Sequence, residues 1–278
     1  MASKITIPVL KTKKAEKVKI TMLTAYDYPT ALMVDEAGVD MVLVGDSLGM
    51  VMLGYESTVP VTMDEMVHHI KAVRRGLKNA LLVGDMPFMS YNVSPAQAVE
   101  NAGRLMKEGG ADMIKLEGGV EAAPAVKAIV DAGIPVCGHI GLTPQSVAKL
   151  GGYKVQGKDL SGAQKQIDAA KAIEEAGADA LVMECIPGPL AKAITGMTGL
   201  VTIGIGAGPD CDGQVLVTHD MLGVFTHRPP KMVRQYAQVH GQMVTAMSDY
   251  IADCKSGSFP APEHGFVMDE AILKDLKF

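Results

Sequence analysis

The sequence predicts a single (β/α)8 barrel, and three observations support this fold class. Apolar runs of strand length alternate with helix-like segments, which is typical of βα units with parallel strands. The alternation gives eight strands, and eight βα units over 278 residues favour one barrel over a doubly wound sheet. A recurring phrase, which is a five-residue pattern with glycine in its third position, ends helices just before a strand. We therefore expect one barrel domain over residues 1–278, with an N-terminal lead-in (1–17) and a C-terminal extension (255–278).

Composition narrows the function classes. With 48% hydrophobic residues the chain can bury a substantial core, so disorder is not expected. The net charge of -5 is spread along the chain, which excludes a basic nucleic-acid-binding face or membrane patch and favours small-molecule partners. The four cysteines lie far apart, as expected for reduced thiols in a cytoplasmic protein rather than a zinc cluster. No apolar run approaches membrane-spanning length, and no signal peptide is evident.

In the first half of the chain the pattern predicts four strands, each followed by a helix. The second helix begins with a capping box in which Thr62 pairs with Glu65. The third begins at the cap Ser94, which is followed by proline, and its apolar stripe stops at Gly109. We expect strands at 20–24, 41–45, 81–85 and 113–117, and the first two helices at 29–37 and 62–77.

The second half repeats the same units. Glycine precedes a strand in four copies of the recurring phrase, at residues 36–40, 108–112, 131–135 and 175–179. A residue with positive φ is favoured after a helix, and glycine adopts that conformation without strain. We expect the remaining strands at 135–139, 180–184, 201–205 and 215–218, and a closing helix at 231–254.

Five successive apolar runs share one further feature, because each finishes on an ionisable residue. These residues are Asp46, Asp85, Glu117, His139 and Glu184. The active site of such a barrel lies at the carboxyl ends of its strands, so the five side chains would meet at one rim. Lys115 lies two residues before Glu117, and alternate residues of a strand face the same side. The pattern therefore predicts an enzyme with a single site.

The chemistry of this set points to a divalent cation. Carboxylate oxygens with one lysine and no Cys/His cluster favour Mg²⁺ or Mn²⁺, which usually take one or two protein carboxylates and complete their octahedron with water and substrate. A chelating α-keto acid suits such a site, since the ion would polarise its carbonyl and stabilise an enolate. Glu184 closes the apolar strand Ala-Leu-Val-Met-Glu and is the candidate general base; a structural ion pair is the alternative role.

Several motifs together resemble the ketopantoate hydroxymethyltransferase family. They include Val44-Gly-Asp-Ser-Leu-Gly49, Lys115-Leu-Glu-Gly-Gly119 and Glu184-Cys-Ile-Pro187. The resemblance runs from about residue 20 to the C-terminus, in segments 24–27, 44–49, 85–89, 115–119, 138–145, 151–158, 184–187 and 203–208. So many segments in one order are highly specific.

What the resemblance implies is a cytoplasmic step of pantothenate biosynthesis on a (β/α)8 barrel that assembles as a homo-oligomer, commonly a decamer. A hydroxymethyl group passes from 5,10-methylenetetrahydrofolate to 3-methyl-2-oxobutanoate, which gives 2-dehydropantoate. By motif, Mg²⁺ would be held by Asp46, Asp85 and Glu117, the last directly or through water. The keto acid would contact Asp46, Ser47, Asp85 and Lys115, and Glu184 would accept the proton. His139 would either hold substrate oxygens or serve a structural role.

Other interpretations remain open from sequence. Gly45-Asp-Ser-Leu-Gly49 also begins a GDSL-type serine esterase, although a nucleophile elbow leads straight into a helix and a loop is expected at 50–60. Gly152–Lys158 nearly matches a P-loop, but Asp159 replaces the hydroxyl residue, so a loop near the barrel mouth is favoured. Pro209 interrupts the dinucleotide-like pattern begun by Gly204. The closest mechanistic rival is a Mg²⁺-dependent lyase or mutase of the phosphoenolpyruvate mutase and isocitrate lyase type.

Overall fold

The fold was analysed in a computed structural model, which describes residues 4–226 and 228–277. Eight parallel strands close into a barrel in sequential order, so the predicted (β/α)8 architecture is confirmed. The strands are β1 Ile20–Thr24, β2 Met41–Val44, β3 Leu81–Asp85, β4 Met113–Glu117, β5 Val136–Gly141, β6 Ala180–Glu184, β7 Val201–Ile205 and β8 Gly213–Leu216.

Helices cover the outside of the barrel and continue into the C-terminal region. They are α1 Ile7–Ala15, α2 Tyr28–Glu36, α3 Leu48–Val51, α4 Met63–Gly76, α5 Pro95–Arg104, α6 Ala123–Asp131, α7 Val147–Leu150, α8 Leu160–Glu175, α9 Gly188–Met197, α10 Thr218–Met221 and α11 Val239–Ser256. A π-helical turn (Leu105–Gly109) extends α5, and 3₁₀ turns lie at Pro144–Ser146, Pro262–His264 and Glu270–Asp275.

The local signals behave as their chemistry predicts. The capping box of α4 is present in both directions, because Glu65 N donates to Thr62 Oγ1 and Thr62 N donates to the Glu65 carboxylate. Ser94 caps α5 through a hydrogen bond from Gln97 N. The recurring glycine adopts positive φ, 81° at Gly38 and 92° at Gly177. These positions end a helix and release the chain into the next strand.

Two elements begin elsewhere than expected. β8 starts at Gly213, two residues early, where a Cβ would lie 2.5 Å from the carbonyl oxygen of Ile20. Only glycine fits this position, and glycine is easily mistaken for the end of a loop. The closing helix begins at Val239 rather than 231, because the preceding backbone is held outside a helix: Tyr236 N donates to Met221 O.

The expected polar lead-in contains helix α1, which the sequence analysis did not anticipate. Leu10 of this helix is 1% exposed and packs with the side chains that fill the barrel interior, such as Met41, Val83 and Val201. The segment therefore contributes to the core of the barrel. Its apolar content is low, so nothing in its periodicity signals a buried face.

A basal ring of ion pairs joins this N-terminal segment to the barrel. Each aspartate of the ring immediately precedes an even-numbered strand, and each pairs with its own lysine. The pairs are Lys13–Asp40 before β2, Lys4–Asp112 before β4, Lys11–Asp179 before β6 and Lys14–Asp212 before β8. Three of these aspartates end copies of the recurring phrase, which explains the acidic residue that follows its glycine.

Strand alternation sets which side chains reach the site. The interior core contains Met113, Cys137, Ala180 and Val182, whereas Ile114 and Leu181 pack in the layer between strands and helices. Because residues two apart face the same side, the residues that end β3, β4 and β6 point inward at the carboxyl end, as does His139 two residues before the end of β5. The sequence expectation that Lys115 and Glu117 share one side is consistent with this alternation.

The chain forms two compact units. One contains the barrel, up to Thr218, together with Pro229–Arg234, and the other contains His219–Arg228 and the residues from Gln235 onward. All eight strands belong to one α/β domain. Treatment of the entire chain as a single domain with a short extension stays a prediction. Among the described residues, no helix combines the length and apolar character needed to cross a membrane.

Candidate active site

The predicted site residues converge at the carboxyl end of the barrel. Of the seven, five are buried, whereas Ser47 is partly exposed and Glu184 keeps 15% of its side chain exposed. The five buried residues are Asp46, Asp85, Lys115, Glu117 and His139. A cluster of ionisable groups with so little water around it is typical of a catalytic or ligand-binding site.

Asp85 and Lys115 form the central ion pair. Lys115 Nζ lies 2.8 Å from Asp85 Oδ1, and Asp46 N donates to Asp85 Oδ2 at 3.2 Å. Burial and the neighbouring carboxylates raise the pKa of Asp46 well above its usual range, and burial also raises the pKa of Asp85. Burial alone would lower the pKa of Lys115, but Asp85, Glu117 and Asp46 together raise it. The lysine therefore stays charged within an excess of negative groups.

His139 bridges two carboxylates. Its Nδ1 lies 3.4 Å from Glu117 Oε1, and its Nε2 lies 3.3 Å from Glu184 Oε2. Burial and Lys115 would lower the pKa of His139, yet the two adjacent glutamate carboxylates raise it to about 9. Burial would raise the pKa of Glu117, but His139 and Lys115 bring it below its usual value. The imidazole thus connects the buried cluster to the more exposed Glu184.

Ser47 follows Asp46 and precedes the single-turn helix α3, whose last two residues overlap the loop expected at 50–60. Its Oγ lies 2.8 Å from Tyr26 Oη, a buried phenol on the loop after β1. A serine hydrolase would need a histidine at this position to accept the hydroxyl proton. The arrangement suits a hydroxyl that donates to a ligand and does not favour the esterase interpretation.

Gln145 and Tyr91 are buried functional candidates that sequence reasoning missed. Gln145 lies in the 3₁₀ turn after β5, where its amide nitrogen donates to Asp46 Oδ2 and to Met86 O, both at 2.9 Å. Tyr91 Oη donates to Gln145 Oε1 at 2.6 Å. Gln145 ends the segment 138–145 that contributed to the family resemblance, so the motif included it, but a loop glutamine gives no sign of burial.

We use the term site carboxylates for Asp46, Asp85 and Glu117. Their chemistry fits a divalent cation, because three buried carboxyl groups share one lysine and a dication would offset the repulsion that raises the pKa of Asp46. Among the described residues, no group of three or more His, Cys, Asp or Glu side chains is arranged to hold a metal ion. Mg²⁺ usually keeps several waters and uses few protein ligands, so an open arrangement suits it.

The loop at 151–158 follows α7 and contacts the segment after β6. Gln156 N donates to Cys185 O at 2.9 Å, and Tyr153 Oη lies 3.9 Å from Met50 Sδ on α3. The contact with Met50 places Tyr153 beside the turn that carries Asp46. The sequence interpretation of this segment as a loop near the barrel mouth agrees with these contacts.

Solved structures with the same fold are distant in sequence. A phosphonopyruvate hydrolase superposes with a TM-score of 0.62 at 11% identity, and the match covers 97% of this chain and 94% of that one. A 2,3-dimethylmalate lyase of the PEP mutase/isocitrate lyase superfamily superposes with a TM-score of 0.57 at 14% identity, covering 96% and 93%. At this identity the likeness shows the fold alone.

Relatives of known activity are much closer in sequence. The 3-methyl-2-oxobutanoate hydroxymethyltransferase of Syntrophomonas wolfei is 56% identical over 274 residues, which cover 99% of each chain. That of Thermoanaerobacter sp. is 57% identical over 270 residues, covering 97% of this chain and 98% of the relative. These matches select a hydroxymethyltransferase over the lyase, mutase and esterase alternatives. The family model for ketopantoate hydroxymethyltransferase matches residues 4–262. The chain therefore belongs to the ketopantoate hydroxymethyltransferase family, and its activity is that of a 3-methyl-2-oxobutanoate hydroxymethyltransferase.

Proposed function

We propose that this hydroxymethyltransferase takes its one-carbon unit from 5,10-methylenetetrahydrofolate, forms an enolate of 3-methyl-2-oxobutanoate with Glu184 as base, and releases 2-dehydropantoate. The observation that carries the proposal is the arrangement of three buried carboxylates and Lys115 beside a more exposed glutamate, joined by His139. The buried part suits the charged end of a keto acid and the exposed part suits proton removal.

The site carboxylates would hold one Mg²⁺ per subunit, with Asp46 and Asp85 as the nearest ligands and Glu117 direct or through water. When bound, the ion would polarise the keto group and stabilise negative charge at the neighbouring carbon by several kcal/mol. Lys115 would pair with the substrate carboxylate, since its ammonium is held among acidic groups and carries a persistent charge. Ser47 would donate a hydrogen bond to the same end of the substrate.

Glu184 would remove the proton from C3 of the keto acid. Its Oε2 lies 3.3 Å from His139 Nε2, so the imidazole lies beside the carboxylate that would accept the proton. The carbon that loses the proton then bonds to the methylene carbon of the folate. Overall, both methylene–nitrogen bonds break, a water molecule supplies the hydroxyl group of the product, and tetrahydrofolate leaves with the proton from C3 and one proton from that water. His139 would hold Glu184 in place from one ring nitrogen while the other faces Glu117.

Exchange of the C3 proton in deuterated water tests the base. We expect metal-dependent exchange in the wild-type enzyme and a loss of about 10²–10⁴-fold in Glu184→Gln, which keeps the shape and removes the basic oxygen. Keto-acid binding measured by calorimetry should persist. Glu100→Gln, an exposed glutamate on α5, is the matched control and should exchange normally. Unchanged exchange in Glu184→Gln would exclude Glu184 as the base.

The metal site has its own test. Asp46→Asn and Asp85→Asn should weaken Mn²⁺ and keto-acid binding together, because one ion would be shared between protein and substrate. A chelator should abolish turnover of 3-methyl-2-oxobutanoate with methylenetetrahydrofolate, and added Mg²⁺ should restore it. Full affinity for both ligands in the two variants would exclude the shared site.

We further propose a homo-oligomer, a decamer by resemblance to the family, located in the cytoplasm. Within the C-terminal unit, no described residue of α11 is buried, and apolar side chains recur along it at helical spacing. They are Met243, Val244, Met247, Tyr250 and Ile251, each roughly half exposed. Such a stripe is typical of a helix that packs on another surface. Light scattering coupled to gel filtration would measure the subunit number, and a monomer would exclude the proposal.

A further inference from the structure

The amide of Gln145 ties three catalytic segments together. It is 6% exposed, and its nitrogen donates to Asp46 Oδ2 after β2 and to the carbonyl oxygen of Met86, which follows Asp85 of β3. Its backbone N–H donates to Glu117 Oε2 of β4 at 3.1 Å. One residue from the loop after β5 therefore contacts the neighbourhood of each site carboxylate.

The orientation of this amide is fixed by its partners. A carboxylate and a peptide carbonyl can only accept hydrogen bonds, so the NH₂ group must face Asp46 and Met86. The amide oxygen faces Tyr91 Oη at 2.6 Å, and Glu117 N lies 3.3 Å from the same phenol oxygen. The chain of donors thus runs one way, from Glu117 N–H through the Tyr91 hydroxyl to the Gln145 carbonyl.

We propose that Gln145 is a positioning residue for the metal site, and that Tyr91 fixes the orientation of its amide. This inference rests on the proposed metal site. The side-chain amide of Gln145 donates to Oδ2 of the Asp46 carboxylate, so it restrains the rotation of one proposed metal ligand. Asp46 lies in the turn after β2 rather than within the strand, so backbone pairing alone does not orient its side chain.

The same contacts distinguish positioning from simple packing. A glutamine that only filled space could satisfy its polar atoms with any nearby groups. Gln145 instead binds one site carboxylate through its side-chain amide and another through its backbone N–H. Residues that orient the ligands of a metal typically change metal affinity by about 10–100-fold when they are replaced. The backbone bond to Glu117 survives substitution of the side chain, so a variant isolates the amide.

The test compares metal binding in four proteins without substrate. Gln145→Met preserves length and removes the polar atoms, and Tyr91→Phe removes only the hydroxyl that orients the amide. Gln166→Met is the matched control, since Gln166 is a buried glutamine of α8 at 7% exposure, outside the site. We expect the Mn²⁺ dissociation constant from calorimetry to rise about 10–100-fold in Gln145→Met, to rise by a smaller factor in Tyr91→Phe, and to stay unchanged in Gln166→Met.

A second readout separates positioning from loss of structure. Thermal unfolding monitored by circular dichroism should show that the variants are folded at the titration temperature, and the Mn²⁺ concentration for half-maximal turnover should rise by the same factor as the dissociation constant. If Gln145→Met does not fold, Tyr91→Phe carries the test alone. Wild-type affinity for Mn²⁺ in the folded variants, or an equal loss in Gln166→Met, would overturn the inference. Failure of the wild-type protein to bind Mn²⁺ would instead overturn the proposed metal site.

Discussion

The two ends of the barrel use the same residue types in opposite ways. At the basal ring, four aspartates that precede even-numbered strands each have their own lysine from the N-terminal segment. At the opposite end, three buried site carboxylates share Lys115. The basal end is balanced in charge and partly hydrated, whereas the site is dry and has an excess of negative charge. One end is arranged for stability and the other for a ligand that supplies positive charge.

The difference also appears in what each acidic group binds. Asp40 Oδ2 accepts from Thr21 N, and Asp212 Oδ2 accepts from Thr202 N, so the basal aspartates also hold the start of the neighbouring strand. The site carboxylates contact one another's segments and a loop amide. Substitutions at the two ends should therefore have distinguishable effects on stability, metal response and activity.

The largest effect is expected for Lys115→Met. It leaves the site carboxylates without their shared cation, and removal of one member of a buried ion pair typically costs about 3–5 kcal/mol. The carboxyl pKa values should rise in the folded state, so the deficit should grow from pH 5 to pH 8 in urea unfolding of the metal-free protein. Added Mg²⁺ should recover part of it, because a dication replaces the missing charge.

Lys14→Met is the basal counterpart. Its partner Asp212 keeps hydrogen bonds from Thr202 N and Thr202 Oγ1, so we expect a loss of about 1–2 kcal/mol. Mg²⁺ should not change this loss. If Lys14→Met and Lys115→Met lost the same free energy of unfolding and responded equally to Mg²⁺, the two ends of the barrel would not differ in charge balance.

Leu10→Ala tests whether the basal end serves stability alone. Leu10 is 1% exposed within the interior core, and truncation of a buried leucine usually costs about 2–5 kcal/mol. Because the residue lies at the opposite end from the site, kcat at a temperature where the variant is folded should match the wild type. A lowered kcat in the fully folded variant would mean that helix α1 is coupled to the site.

Protonation of His139 makes the stability of the protein depend on pH through the site. The pKa of His139 is raised to about 9 from 6.5, so its protonated form stabilises the folded state. That contribution is fully present below pH 6.5 and is lost as the pH rises through 9, at most about 3 kcal/mol in the metal-free protein. Urea unfolding between pH 6 and 10 should show a steeper decline for wild type than for His139→Asn. Parallel profiles would contradict the raised pKa.

Much of this comparison follows from sequence, and the remainder depends on three-dimensional packing. Strand period and terminal ionisable residues predicted the barrel, and placed Asp85, Glu117 and Glu184 at its carboxyl end. In the sequence, the basal ring was visible only as an aspartate that ends three of the four copies of the recurring phrase. Its partners lie about 30 to 200 residues away in sequence, as with Lys13–Asp40 and Lys14–Asp212, and no local pattern encodes such pairings.

The site shows the same limit. Gln145 is a loop residue whose importance comes from burial and from contacts to distant strands, and a single sequence states neither. The start of β8 at Gly213 was missed for a different reason. Close backbone packing requires glycine there, and glycine is not a residue type that indicates a strand. Residues that follow the periodic pattern of a strand or helix could be predicted from the sequence, whereas residues that make contacts between elements distant in sequence could not.

The smallest effect is expected for Lys11→Met, which removes a largely exposed ion pair of the basal ring. The side chains of Lys11 and Asp179 are 52% and 20% exposed, and pairs of this kind contribute about 0.2–1 kcal/mol. The loss should disappear near 1 M salt, where screening acts over about 3 Å. The loss in Lys115→Met should persist there, because salt does not reach a dry ion pair. Measurement of both variants by urea unfolding at low and high salt therefore separates the two ends by hydration. If the loss of unfolding free energy in Lys11→Met did not depend on salt, this ion pair of the basal ring would be as shielded from solvent as the site.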